Sequence, residues 1–235
     1  MQRNPSVDIA KGIAITLMVL GHSGVPEMGR AFIYMFHMPL FFILSGWCFK
    51  EKYLEQPKTF VAHRLKGLWW PYAKWSILFI LLQNWFCKLH LYSPSYGYKG
   101  AGVLPYSLRE MKDRIWSTVT NMEGAPQLLG GYWFLRELLL ASLISWLLIK
   151  LIPVIRKKRG LGFVNALWLA LATTMFSAVA NRFGLWLPVF NISPVTWLAV
   201  SFFLAGFAWK QTWGGSSGVC PLHYCLQQSY LPQAA

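Results

Sequence analysis

The sequence is short of charge, and of acids above all. Only 13% of its residues are charged, and eight are Asp or Glu against 22 Lys or Arg. A water-soluble domain carries about 25% charged residues, so most of this chain avoids water. Cysteine is also sparse: Cys48, Cys87, Cys220 and Cys225. Two of these fall in or beside apolar runs, where a thiol behaves as a small hydrophobe. The segment Cys220-Pro-Leu-His223-Tyr-Cys225 offers ligand atoms but lacks the second pair that would complete a tetrahedral metal site. There is no Gly-rich phosphate loop, no His-Glu-x-x-His pair and no Gly-x-Ser-x-Gly elbow. Those absences remove the common nucleotide-binding, zinc-hydrolase and serine-hydrolase readings. No internal repeat is present.

What the chain does have is apolar length. It is 55% hydrophobic and 17% aromatic. The net charge of +14 could suggest nucleic acid, but Lys and Arg sit in short blocks between apolar runs, as in polytopic membrane proteins. With no RNA-binding motif and no basic helix free of apolar flanks, nucleic acid is excluded as a partner and the lipid bilayer is expected. The fold class is an all-α integral membrane protein, a polytopic helix bundle. Six transmembrane helices are expected, over about 7–24, 31–49, 67–91, 131–152, 163–182 and 190–209. Residues 1–209 form the transmembrane domain. Residues 210–235, with Gly214-Gly-Ser-Ser-Gly218, Pro221 and Pro232, are expected to be an atypical, disordered tail.

The first apolar core, Ile13 to Leu20, has the length of a signal peptide. Asp8 and Lys11 intrude on its start and no small-x-small cleavage site follows, so a retained span is expected. At 100° per residue, Asp8, Lys11, Ile15, Met18 and His22 share a stripe about 80° wide, which should look into a bundle. Asp8 and His22 are roughly 21 Å apart along the axis, too far for a dyad. Ser107-Leu-Arg-Glu110 resembles a capping box that opens a short helix to about residue 120. The segment Gly67-Leu-Trp69-Trp70-Pro71-Tyr72 reads as an interfacial aromatic belt.

The positive-inside rule sets the orientation. With the N-terminus in the cytoplasm, the basic loops 50–66 and 153–162 are cytoplasmic, the latter holding Arg156-Lys157-Lys158-Arg159. Residues 92–131 are then outside. His22, His37, Asn84, Trp133, Arg136 and Glu137 fall toward the outer side as a polar pocket. Lys11, Arg64 and Lys66 form a separate cationic inner mouth. Ionisable side chains within a span are costly and mark function by default. His22 and His37 face each other across one short loop, and Arg136 and Glu137 lie inside an apolar run. Asn181 and Arg182 read as interfacial anchors.

Three groups of residues carry a resemblance. They are Arg3-Asn4-Pro-Ser-Val-Asp8-Ile-Ala-Lys11-Gly12 with Leu20-Gly21-His22-Ser23; Phe36-His37-Met38-Pro39-Leu40-Phe41-Phe42 with Ser45-Gly46; and His63-Arg64-Leu-Lys66-Gly-Leu-Trp-Trp-Pro71-Tyr72 with Tyr132-Trp133-Phe134-Leu135. Together they resemble membrane-bound acyltransferase family 3, closest to its fucose 4-O-acetylase-like branch that acts on bacterial surface polysaccharides. The resemblance covers roughly residues 3–209. It implies transfer of an acyl group, usually acetyl from cytoplasmic acetyl-CoA, to a sugar hydroxyl of a glycan or lipid-linked acceptor at the outer face of the bacterial inner membrane. No metal is implied.

By the same resemblance His22 holds the position of the family's essential histidine, and Arg64 that of the first arginine of an Arg-x-x-Arg motif. Gly67 replaces the second arginine, with Lys66 adjacent. The family has about ten spans against the six read here, so a truncated or frame-shifted product is expected, a short complete member being the alternative. The expected catalytic residues are His22, His37, Arg136 and Glu137. Lys11, Arg64 and Lys66 are expected to bind the donor, and Asn84 and Trp133 the acceptor. A transporter or flippase-like path through His, Arg and Glu, or a non-catalytic subunit of a surface-polysaccharide assembly system, remain the alternatives.

Overall fold

The computed structural model describes residues 5–92, 104–152, 161–187 and 191–213. The block Arg156 to Arg159, residues 93–103, Pro188 and everything after Trp213, including Cys220, His223 and Cys225, lie outside the described residues. The described elements are helices α1 (Pro5–His22), α2 (Glu27–Trp47), α3 (Lys52–Glu55) and α4 (Pro57–Arg64), then a π-helical turn (Leu65–Trp69) that runs into α5 (Trp70–Lys88). After these come α6 (Leu108–Asn121), a 3₁₀ turn (Gln127–Tyr132), α7 (Trp133–Leu151), α8 (Leu161–Phe183) and α9 (Pro194–Trp213). Among the described residues there is no β-strand, only an isolated bridge between Leu187 and Ile192.

Contacts divide the chain into two units. Of the described residues, the first holds 5–54, 141–152, 161–185 and 193–213. In it α1 packs on α2, α2 on α9, and α9 on α8. Helix α1 buries Val7, Ala14 and Gly21, a seven-residue spacing that keeps one narrow face on α2. The α2–α9 crossing is closer still. A Cβ on Gly46 would lie 1.9 Å from the Phe203 carbonyl oxygen, and one on Gly206 would lie 2.0 Å from that of Ile43. Only glycine permits this backbone approach. Beside it Phe49 meets Phe203 and Phe207 edge-on, at ring separations of 5.9 and 5.8 Å. The Trp146 indole N–H donates to the Tyr53 carbonyl at 2.9 Å, and the Lys210 ammonium donates to that of Phe49.

Of the described residues, the second unit holds 55–92, 104–140, 186–187 and 191–192. Here α6 lies antiparallel along α5. At one end the Asn84 amide donates to the Tyr106 carbonyl at 2.9 Å and accepts its N–H at 2.6 Å. At the other end the Trp69 indole donates to the Val119 carbonyl at 3.1 Å. The Ser107 hydroxyl caps α6 by accepting the Glu110 N–H at 3.2 Å, which agrees with the helix start expected from sequence. Helix α6 closes with Met122 in the left-handed region, φ 54°.

Two expectations need correction. Six spans were expected, but two described segments are long and apolar enough to cross a membrane, Glu27–Trp47 and Gly162–Phe183. The remaining long helices carry polar cargo: Asp8 and Lys11 on α1; Lys74, Gln83, Asn84 and Lys88 on α5; Arg136, Glu137 and Lys150 on α7; Lys210 on α9. The stripe of α1 also turns outward, with Asp8, Lys11, Ile15 and His22 exposed. The reason is packing: glycine and alanine, not the polar stripe, allow the closest approach to α2. Helix α2 passes through Pro39 as one continuous helix.

Candidate active site

The C-terminal end of α1 and the middle of α2 bring two imidazoles to one tyrosine. His22 ends α1 and is exposed, whereas His37 is buried, with 3% of its surface accessible. Tyr34, one turn before His37, lies between them, its ring centroid 5.7 Å from that of His22 and 5.3 Å from that of His37. The tyrosine hydroxyl donates to the Gly21 carbonyl at 3.2 Å and stands 3.5 Å from His22 Nδ1. His37 Nδ1 is 2.8 Å from the Ile33 carbonyl. A carbonyl can only accept, so His37 Nδ1 carries a proton, and in the neutral ring Nε2 holds the lone pair. Such an imidazole is an oriented base or hydrogen-bond acceptor.

In the second unit one guanidinium ties three distant segments together. Arg136, 9% accessible, donates to the Asn121 carbonyl at 3.1 Å, to Glu137 at 3.0 Å and to the Asn191 carbonyl at 2.8 Å. It also lies 3.4 Å from Glu123, which accepts the Asn191 side-chain amide at 2.7 Å. Glu137 is buried at 4% accessibility. Burying the Glu137 carboxylate is costly unless charge and hydrogen bonds answer it, and the fork of Arg136 does so. Tyr132 stacks near Tyr72, rings 6.0 Å apart, and Trp133 beside it is 47% exposed.

Not all expected site residues converge. Asn84 lies twelve residues beyond Tyr72 on α5, about 18 Å along the axis, so it is far from Trp133 and Arg136, and both ends of its amide engage Tyr106. Arg64 is half-buried at the end of α4 with its guanidinium 5.3 Å over the Phe60 ring. Lys66 is exposed within the π-helical turn, a feature frequent at functional sites. Lys11 is exposed on α1 in the first unit.

Sequence reasoning missed Tyr34, Glu123 and Asn191. Tyr34 had a readable signal, being three residues before His37 on one helical face. Glu123 and Asn191 stand 13 and 55 residues from Arg136 in different loops, and nothing local links them. Among the described residues no group of three His, Cys, Asp or Glu is placed to hold a metal ion.

Comparison with known proteins follows the same residues. The chain is 28% identical over 230 residues to nodulation protein NolL of Mesorhizobium japonicum, an alignment that takes in 92% of this chain and 50% of that protein. The chain therefore spans about half the length of the curated relative it matches. No solved structure matches. The family description that matches is an acyltransferase domain, over residues 4–217. That span includes both histidines, the Arg64–Lys66 segment and the Arg136–Glu137 cluster, and the chain belongs to acyltransferase family 3.

Proposed function

We propose that this protein is an integral membrane O-acyltransferase that moves an acetyl group from cytoplasmic acetyl-CoA to a sugar hydroxyl of a cell-surface or exported polysaccharide. The observation that carries the reading is the pair of imidazoles on either side of Tyr34, one exposed and one buried and fixed by a carbonyl. Family membership supplies the reaction class.

A sugar hydroxyl is a poor nucleophile at neutral pH, and an imidazole titrates near ambient pH. His22, whose ring is reachable from outside, serves as the general base and accepts the hydroxyl proton as the oxygen attacks the thioester carbonyl carbon. The carbon–sulfur bond then breaks, the thiolate takes a proton back, and the ester and free coenzyme A thiol leave. His37, buried and held by Ile33, orients the acceptor or the turn. The donor is polyanionic, so Lys11, Arg64 and Lys66 neutralise its phosphates.

Trp133, half exposed, offers its indole N–H and ring face to the acceptor or to the developing oxyanion. Arg136 and Glu137 hold the framework behind it. Asn84 is better assigned to securing α6 than to the acceptor. In this reading further helices beyond the two that qualify by composition cross the bilayer, in the orientation with the N-terminus, 50–66 and 153–162 cytoplasmic.

The test is incorporation of labelled acetyl from acetyl-CoA into surface glycan by cells that carry or lack the protein. Incorporation that depends on the protein is the expected result. Movement of glycan or protons across the membrane without acetylation would replace this reading with a transporter.

A further inference from the structure

We infer that Tyr34 is a positioning residue that sets the tautomer of His22 and so presents its Nε2 lone pair to the acceptor hydroxyl. The inference rests on the acyltransferase reading for its catalytic consequence, but its structural core stands on geometry alone.

A phenol has one proton. In this structure that proton has a near target in the Gly21 carbonyl, 3.2 Å from the hydroxyl, and a farther one in His22 Nδ1 at 3.5 Å. The carbonyl has no proton of its own to offer, so the hydroxyl donates there. What the oxygen then turns toward His22 is a lone pair, and Nδ1 must be the donor. A neutral imidazole with the proton on Nδ1 has its lone pair on Nε2. His37 reaches the same state by a different route, through the Ile33 carbonyl at 2.8 Å. Two imidazoles on adjacent helices therefore share one tautomer, each fixed by an oxygen at Nδ1.

Gly21 makes the arrangement possible. A Cβ at this position would lie 2.8 Å from Tyr34 Cε1 and 3.5 Å from Cδ1. The ring thus rests on a glycine, within reach of the same residue's carbonyl and of the histidine that follows it. A bulkier residue would push the phenol away from both.

The experiment uses the full chain in lipid, ¹⁵N-labelled at histidine, with His22 resonances identified by their loss in His22→Ala. In the unaltered protein the neutral His22 ring should carry its proton on Nδ1; a proton on Nε2 would overturn the inference before any variant is made. Tyr34→Phe keeps the ring and removes the oxygen, and Gly21→Ala keeps the oxygen and displaces it. Both should move the proton toward Nε2. Tyr34→Phe should also lower kcat for acetyl transfer by about 10–100-fold, the order of loss seen when the orienting partner of a metal-bound imidazole is removed, with KM for donor and acceptor within about twofold. Tyr34→Gln, whose amide oxygen can accept the Nδ1 proton, should restore part of kcat. If the unaltered chain transfers acetyl and Tyr34→Phe leaves both kcat and the tautomer unchanged, the role of Tyr34 falls and the acyltransferase reading stands. Absence of transfer by the unaltered chain would sink that reading and leave the tautomer result to decide this one.

Discussion

Arg136 directs one guanidinium at two carbonyls and two carboxylates drawn from residues 121, 123, 137 and 191. Its partners define what its loss would do. Arg136→Met keeps the bulk but leaves Glu137 buried with its cation gone, and breaking such a pair costs about 3–5 kcal/mol. A large fall in thermal stability in detergent is expected, with Arg136→Lys little better because a point charge cannot copy the fork. Stability within error of the unaltered chain would show the cluster to be dispensable. Tyr106 gives a pH-dependent counterpart. Burial raises its phenol above the ordinary value, while the Arg114 guanidinium, 4.2 Å from the ring centroid, pulls it partway back. Stability from a raised phenol is fully present below its unfolded pKa of about 10 and is lost as pH climbs through the folded value. The hold of Asn84 on Tyr106 should therefore loosen only in strong alkali, read by tyrosinate absorbance together with protease cleavage near residue 106. Loosening at neutral pH would contradict it. His22, His37, Arg136 and Glu137 were all legible as polar intruders in apolar runs. Their partners were not, because Glu123 and Asn191 are recruited by folding and carry no local pattern.

At the scale of elements, periodicity and punctuation were informative. Ser107 with Glu110 marked the start of α6, and the apolar run from Ile13 to Leu20 marked α1, observed as Pro5–His22. What periodicity could not show was which face of α1 is buried. A hydrophobic-moment argument favours the polar stripe as the interior face of a membrane bundle, yet close packing is governed by small residues, and Ala14 and Gly21 won. The same physics sets the α2–α9 crossing. Gly46→Ala places a methyl 1.9 Å from the Phe203 carbonyl oxygen, and backbone cannot yield as a side-chain end can. The helices must part, at a cost of about 1–3 kcal/mol as for other overpacked interiors. Gly12→Ala, with nothing within 4 Å of the added methyl, is the control and should be neutral or slightly stabilising. Equal melting temperatures for the two variants would refute the close crossing. The antiparallel course of α6 along α5 was likewise invisible, since a short polar helix carries no pattern that names what it packs on.

For the whole molecule, composition made the all-helical class legible; of the six apolar runs read as spans, two described helices are long and apolar enough to cross a membrane, and the other long helices carry interior charges. The proposed orientation rests on the basic loops and can be probed at Cys48, an exposed free thiol just after α2. With the other three cysteines replaced, an impermeant thiol reagent should leave Cys48 unlabelled in intact cells and label it in inverted vesicles; the reverse pattern would invert the proposed topology. The most direct measurement is acetyl transfer at saturating donor in native membranes, with donor affinity measured alongside, for His22→Ala, His37→Ala and Arg64→Ala. His22→Ala should lower transfer at least about 100-fold with donor affinity nearly unchanged. Arg64→Ala should do the reverse, weakening donor binding by the roughly 1.5–3 kcal/mol of a charged contact. Near-normal transfer by His22→Ala, with loss confined to His37→Ala, would contradict the assignment of His22 as the base that activates the sugar hydroxyl.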